Sequence, residues 1–345
     1  MIHESSGLRS YHGGMNSSET QVPNRGHLLT EQRLEASHDL DAIGIDEALS
    51  LINDQDAQIA AVVRTAIPSI ANLAEAVVGA MRQGGRLIYV GAGSSGRLGV
   101  LDASECPPTF HCAPNQVIGL IAGGDRALRR SSEGAEDDLH GAADEWDRLE
   151  VAAGDVVVGV AAGGTTAYVW GALRLARARG ARTALICCVS QGEANSIRPE
   201  SEARWEHGTT SSQSEPREVD HLIRVPVGPE VLTGSTRMKA GTATKMVLNM
   251  LSTVVFVQLG KAWGNLMVDV CATNRKLADR AARILVQQCP DLAGSRQEAL
   301  QLLERAKGHV KLALVMKKRK VDIETAQRLL ERHKGQLRPI LGPPS

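Results

Sequence analysis

Three short stretches of this chain set glycine beside hydroxyl side chains at places where helices should begin. Gly91-Ala-Gly-Ser-Ser-Gly96 follows the apolar run Leu87-Ile-Tyr-Val90, and Ala161-Ala-Gly-Gly-Thr-Thr166 follows a second such run. Thr233-Gly-Ser-Thr236 precedes a long apolar helical stretch. A helix N-terminus offers unpaired N–H groups and the positive end of its dipole, and hydroxyls add further donors, which suits a monophosphate. Ser94, Ser95, Gly96, Gly163, Gly164, Thr165, Thr166 and Ser235 are the candidate ligand residues, with Lys239 to neutralise charge. Serine and threonine also make ordinary N-caps, so any one loop can be read as structure alone. Three together favour a small phosphorylated ligand.

Two carboxylates have the right character for acid–base work. Glu105 stands immediately before Cys106-Pro107-Pro108, where the prolines are expected to cut a helix short and fix the side chain in place. Glu136 lies in Glu133-Gly-Ala-Glu-Asp-Asp138, a cluster that would equally suit the first turn of a surface helix. Gly91, Gly93 and Gly96 spell a dinucleotide fingerprint, but its context fails. The prolines interrupt the following helix, and the next strand closes in Gly123-Gly124 instead of an acid.

These residues need a scaffold, and the apolar pattern supplies one. Short apolar runs at 86–90, 117–122, 155–161, 183–188 and 221–227 alternate with helical sequence. That pattern predicts an α/β fold, a three-layer αβα parallel sheet with helices on both faces, binding ligands at the carboxyl ends of its strands. Helices precede it from Thr30 to Met81, with Pro68 starting or kinking one. The helix expected over 236–260 is apolar nearly all round, which marks a central core element or a subunit interface. Its most apolar part, Met246 to Leu259, reads as too short and too polar to span a bilayer.

Residues 1–27 are expected to form a disordered tail, 28–285 the sheet domain with a polar surface insertion at about 191–218, and 290–342 a small helical bundle. In the bundle, Ser295-Arg-Gln-Glu298 is a capping box, and further helices fit at 309–317 and 322–334. The basic run Lys317 to Lys320 reads as a solvated helix end. Its 39 basic and 39 acidic residues balance, and aromatics are only 3%, so nucleic acid is not an expected partner. Six cysteines without C-x-x-C and ten histidines without close pairing point to free thiols, no metal site and a reducing cytoplasm. No signal peptide or membrane span is expected.

The strings GAGSSGRLGVLDASECPPTF, EGAED (133–137), GPEVLTGSTRMKAGTATKMVLNMLS (228–252), NLMVDVCATNRKL (265–277) and LLTEQR (28–33) resemble the N-acetylmuramic acid 6-phosphate etherases, of the sugar isomerase (SIS) domain superfamily. The resemblance runs from about residue 28 to 340 and includes the C-terminal bundle, which is similar to a ubiquitin-associated (UBA-like) module. It implies a homodimeric, cytoplasmic lyase of cell-wall amino sugar recycling, splitting the lactyl ether of N-acetylmuramic acid 6-phosphate without metal or organic cofactor. The family's catalytic glutamates fall on Glu105 and Glu136, which are then expected to meet one sugar 6-phosphate held between the loops. Members commonly carry A-S-G-R-T-P-Y where this chain has Ala162-Gly-Gly-Thr-Thr-Ala-Tyr168, and Leu34 replaces a usual asparagine. The alternative implied by those departures is a non-catalytic sugar-phosphate-binding regulator, similar to the glucokinase regulatory protein.

Overall fold

The computed structural model of the chain describes residues 25–190, 219–271, 275–292 and 295–344. The tail expected over 1–27 lies outside these except for its last three residues, and the insertion expected at 191–218 lies outside them entirely.

Three helices lead in: α1 (Ile45–Asp56), α2 (Ile59–Thr65) and α3 (Ile67–Arg82). Pro68 sits in the first turn of α3, where a missing N–H has no partner to lose. The chain bends by 59° there. The sheet region follows as β1 (Leu87–Gly91), α4 (Gly93–Phe110), β2 (Val117–Ile121), α5 (Ala143–Leu149), β3 (Val156–Val160), α6 (Ala167–Ala178), β4 (Arg182–Cys187), β5 (His221–Arg224) and α7 (Lys239–Gln258).

All five strands are parallel, in the order β2-β1-β3-β4-β5. Every residue of β1 and β3 is buried, which explains why their Val/Ile runs show no polar alternation. Leu87, Tyr89, Val156 and Val158 pack with residues of α3, α4 and α7 on one face. Ile88, Val90, Val157 and Leu185 pack with α5 and α6 on the other. Each fully buried Val, Leu or Ile contributes about 1.5–3 kcal/mol relative to exposure. The three-layer α/β architecture is therefore as expected. Chain direction across the sheet reverses between β1 and β3, so a crevice opens at their carboxyl ends. At their amino ends, Asp155 accepts from the Arg86 guanidinium at 2.7 and 2.9 Å and from the N–H groups of Arg86 and Ala152 at 3.1 Å.

Two helices depart from expectation. α4 continues through Pro107 and Pro108 to Phe110 instead of stopping at Glu105. Its last turn is held by packing: Phe110 stacks on Phe256 of α7 at 4.6 Å, and the His111 N–H bonds the Pro107 carbonyl at 2.9 Å. At 20 residues, α7 is long and apolar enough by composition to cross a bilayer, against the sequence reading, yet half of its apolar window is buried within the protein.

The remaining elements are a small hairpin, β6 (Ala262–Trp263) with β7 (Leu266–Met267), then α8 (Arg275–Gln288), α9 (Arg296–Arg305), α10 (Val310–Arg319), α11 (Ile323–Arg332) and α12 (Arg338–Leu341). Ser295 Oγ accepts from the Glu298 N–H at 3.2 Å, which caps α9. These elements share one core, drawing on Trp263, Val268, Leu285, Leu302, Leu314 and Ile340. Packing thus changes partners near residue 263, not between 285 and 290, because α8 turns its apolar face to α9 and α10. Trp263 Nε1 donates to the Gly342 carbonyl at 2.8 Å, and Lys318 lies 5.1 Å over its ring. Lys317, from the same basic run, pairs with Asp291 at 2.8 Å.

Candidate active site

The first loop joins β1 to α4 at the crevice. Ala92 is extended and Gly93 takes φ +50°, so the chain turns sharply into the helix. The N-cap residue Ala92 has no side chain to cap α4, and Ser94 and Ser95 stand half-buried in the first turn. A Cβ at Gly93 would lie 3.0 Å from Glu136 Oε1, which places that carboxylate at the positive end of the α4 dipole. The Glu136 carbonyl accepts the Tyr168 N–H at 3.0 Å, so this one residue links the starts of α4 and α6. Glu136 is not surface decoration. Gly96, expected to touch ligand, instead packs α4 onto the strand: a Cβ there would sit 2.7 Å from the Gly91 carbonyl oxygen, and its N–H already bonds Ala92 at 3.0 Å.

The second loop leaves β3 beside the first. Gly164 donates its N–H to the Ala161 carbonyl at 2.9 Å, and its own carbonyl accepts from Trp170 Nε1 at 2.8 Å. That N–H closes the turn and is not offered to an oxyanion. Thr165 and Thr166 are half-buried; Thr166 is the N-cap residue of α6, yet its hydroxyl makes no capping bond. Gly163 is half-buried, and a Cβ there would make only ordinary contacts, 3.5 Å or longer.

The third loop behaves differently. Ser235 is half-buried with its N–H bonded to Leu232 at 2.9 Å, four residues before α7 begins. The helix is capped by Glu230, which is fully buried and accepts from the Lys239 and Ala240 N–H groups at 2.8 and 2.9 Å. Burial pushes the Glu230 carboxyl above its usual range against the pull of those two bonds. Lys239 is only 4% exposed and donates to Gln55 of α1 at 3.0 Å. Burial lowers its ammonium pKa against the pull of Glu230 and Asp56. It ties two helices together instead of neutralising a ligand, contrary to expectation.

Glu105 is exposed on α4, twelve residues beyond Gly93. At 1.5 Å per residue that is about 18 Å along the axis. Within one chain, then, the two glutamates do not meet. Its neighbours face inward: Asp102 accepts from Tyr89 Oη at 3.1 Å and Ser252 Oγ at 3.2 Å, with Lys245 Nζ 3.6 Å away. Burial raises the Asp102 carboxyl pKa despite those partners. A groove of about 500 Å³ runs between α4 and α7, lined by Ser94, Arg97, Leu101, Arg237, Thr242 and Lys245. Ser94, Leu98, Leu101 and Glu105 share one helical face, so the groove points from the first loop toward Glu105.

The family model for the glucokinase regulatory protein N-terminal SIS domain matches residues 69–177, which hold both crevice loops. A phosphoheptose isomerase from Francisella tularensis superposes with a TM-score of 0.41 at 15% identity, covering 61% of this chain and 98% of its own. An N-acetylmuramic acid 6-phosphate etherase of Crocosphaera subtropica is 48% identical over 93% of this chain and 97% of its own. Another, from Gloeothece citriformis, is 50% identical over 317 residues, 92% of this chain and 96% of that one. With identity at this level along nearly the whole length, the chain belongs to the N-acetylmuramic acid 6-phosphate etherase family.

Proposed function

We propose that this protein cleaves the lactyl ether of N-acetylmuramic acid 6-phosphate, giving N-acetylglucosamine 6-phosphate and D-lactate, as a carbon–oxygen lyase of cell-wall amino sugar recycling. The observation that carries the reading is the 50% identity over 92% of the chain to a protein of that name. The crevice between β1 and β3 supports it, with hydroxyls from two loops and one carboxylate at a helix N-terminus.

The chemistry needs only positioned acids and bases. Opening of the sugar ring exposes an aldehyde, which acidifies the proton on the neighbouring carbon. A carboxylate removes that proton, the lactyl oxygen leaves from the next carbon taking a proton, and water adds across the double bond. Glu105 is the main acid–base in this scheme, and Glu136 assists ring opening or proton transfer. Ser94 and Ser95 hold sugar hydroxyls, while Gly163, Thr165 and Thr166 receive the phosphate.

Because Glu105 lies about 18 Å along α4 from the Glu136 carboxylate, one sugar meets both only if a second copy of the chain supplies Glu105. A homodimer is thus part of the proposal. An apolar groove of about 950 Å³ between α3 and α7 supports it, exposing Ile67 (46%), Met250 (37%), Val254 (39%) and Val257 (40%). All six cysteines are free, which suits work in the reducing cytoplasm.

The decisive experiment is incubation with N-acetylmuramic acid 6-phosphate in heavy water. D-lactate should appear, with deuterium at the second carbon of the sugar product; folded protein in excess that releases no lactate would reject the etherase. The regulator reading predicts thermal stabilisation by hexose phosphates without lactate. It is less favoured, since the match to the regulator spans only 69–177 whereas the etherases match along almost the whole chain.

A further inference from the structure

Thr30 stands in the single helical turn Leu29–Glu31 that precedes α1. It is 1% exposed, and its hydroxyl has no hydrogen-bond partner among the described residues. Buried hydroxyls are nearly always paired, because an unmade bond forfeits the hydration lost on burial. This one sits at the second loop. The position a Cβ would take on Gly163 lies 3.5 Å from Thr30 Oγ1 and 3.9 Å from Thr165 Oγ1. Leu28 Cδ1 lies 3.8 Å from the same position, and Gly163 itself is half-buried, so the loop meets solvent beside these groups. Two hydroxyls from segments 135 residues apart in sequence thus flank Gly163 on the same side of the loop, with the Leu28 methyl beside them. The same turn also reaches the third loop, with Glu31 Oε2 3.6 Å from where a Gly234 Cβ would be.

We infer that Thr30 is a phosphate-binding residue: its hydroxyl and that of Thr165 donate to one oxygen of the sugar's phosphate, seated over Gly163. This rests on the sugar-phosphate reading of the crevice above. The chemistry favours an anion, since both hydroxyls can donate, while the Glu136 carboxylate lies beside Gly93 of the first loop and that of Glu31 beside Gly234 of the third. The segment 28–34 then closes over bound ligand from the amino-terminal side and completes a loop that the sheet alone leaves open.

Thr30→Val keeps the shape and removes the hydroxyl. The free variant should melt at or above the wild-type temperature, because an unpaired buried group is gone. Its KM for N-acetylmuramic acid 6-phosphate should rise about tenfold or more, with kcat within about twofold. Binding of N-acetylglucosamine 6-phosphate, read by calorimetry, should weaken equally, while binding of unphosphorylated N-acetylglucosamine stays unchanged. Thr30→Ser should retain wild-type affinity; if the valine variant does not fold, Thr30→Ala reads the same loss. Unchanged affinity in Thr30→Val, or equal weakening toward the unphosphorylated sugar, overturns the inference while leaving the etherase standing. A wild-type protein that binds no sugar phosphate overturns both.

Discussion

The two loops at the carboxyl ends of β1 and β3 look alike in sequence and differ in physics. The first places the Glu136 carboxylate beside Gly93, so an acidic group already occupies the positive end of α4. The second gathers hydroxyls around Gly163, including one from Thr30 that no described residue satisfies. A carboxylate at a helix dipole moves protons and repels a dianion; unpaired hydroxyls do the reverse. The lesson is that glycine and hydroxyl content marks both turns as binding places, and the company each keeps divides the labour.

That division can be broken by experiment. Glu105→Gln and Glu136→Gln should each lower kcat for lactate release by about 10²–10⁴-fold with product affinity nearly kept. A Glu136 variant that altered only KM would move the first loop to the binding side. Asp155→Asn tests what the loops share, because it loosens the amino ends of both strands. Burial pushes the Asp155 carboxyl up, but its hydrogen bonds from Arg86 and Ala152 outweigh this and hold it below the usual range. A depressed folded pKa stabilises above the unfolded value of about 3.9 and is lost as pH falls through the folded one. The variant should therefore be about 2–4 kcal/mol less stable at neutral pH, by denaturant titration, with the deficit shrinking below pH 4.

The glycines give the finest contrast. Gly93→Ala forces a side chain into φ +50° against Glu136 and should cost about 1–2 kcal/mol of stability together with much of kcat. Gly163→Ala meets no contact closer than 3.5 Å, so stability should change by less than about 0.5 kcal/mol while KM rises as the methyl crowds the Thr30 and Thr165 hydroxyls. Equal effects at the two positions would erase the distinction.

The strands were plain in the sequence because buried parallel strands read as bare Val/Ile runs closed by glycine. The two crevice loops followed from that. What stayed hidden came from distant chain. Glu230 caps α7 from nine residues before its first turn, a spacing outside the capping-box signature. Thr30 reaches its loop from 133 positions upstream of Gly163, and no local pattern announces it. Lys239 looked like a phosphate ligand only because its bond to Gln55 crosses from α7 to α1. α4 passes its prolines because Phe256, 146 residues beyond Phe110, stacks on its last turn. Glu105 was correctly placed on that helix, but helical rise carried it away from Glu136.

The indole of Trp263 closes onto the carbonyl of Gly342, so the stretch 263–342 is fastened at its own root. Shuffling this module between relatives would need a junction between Leu259 and Trp263, directly behind α7. A cut at 290 would strand α8 on the wrong fragment and leave its greasy side bare. Whatever the helical tail does, it is inherited with that tryptophan or not at all.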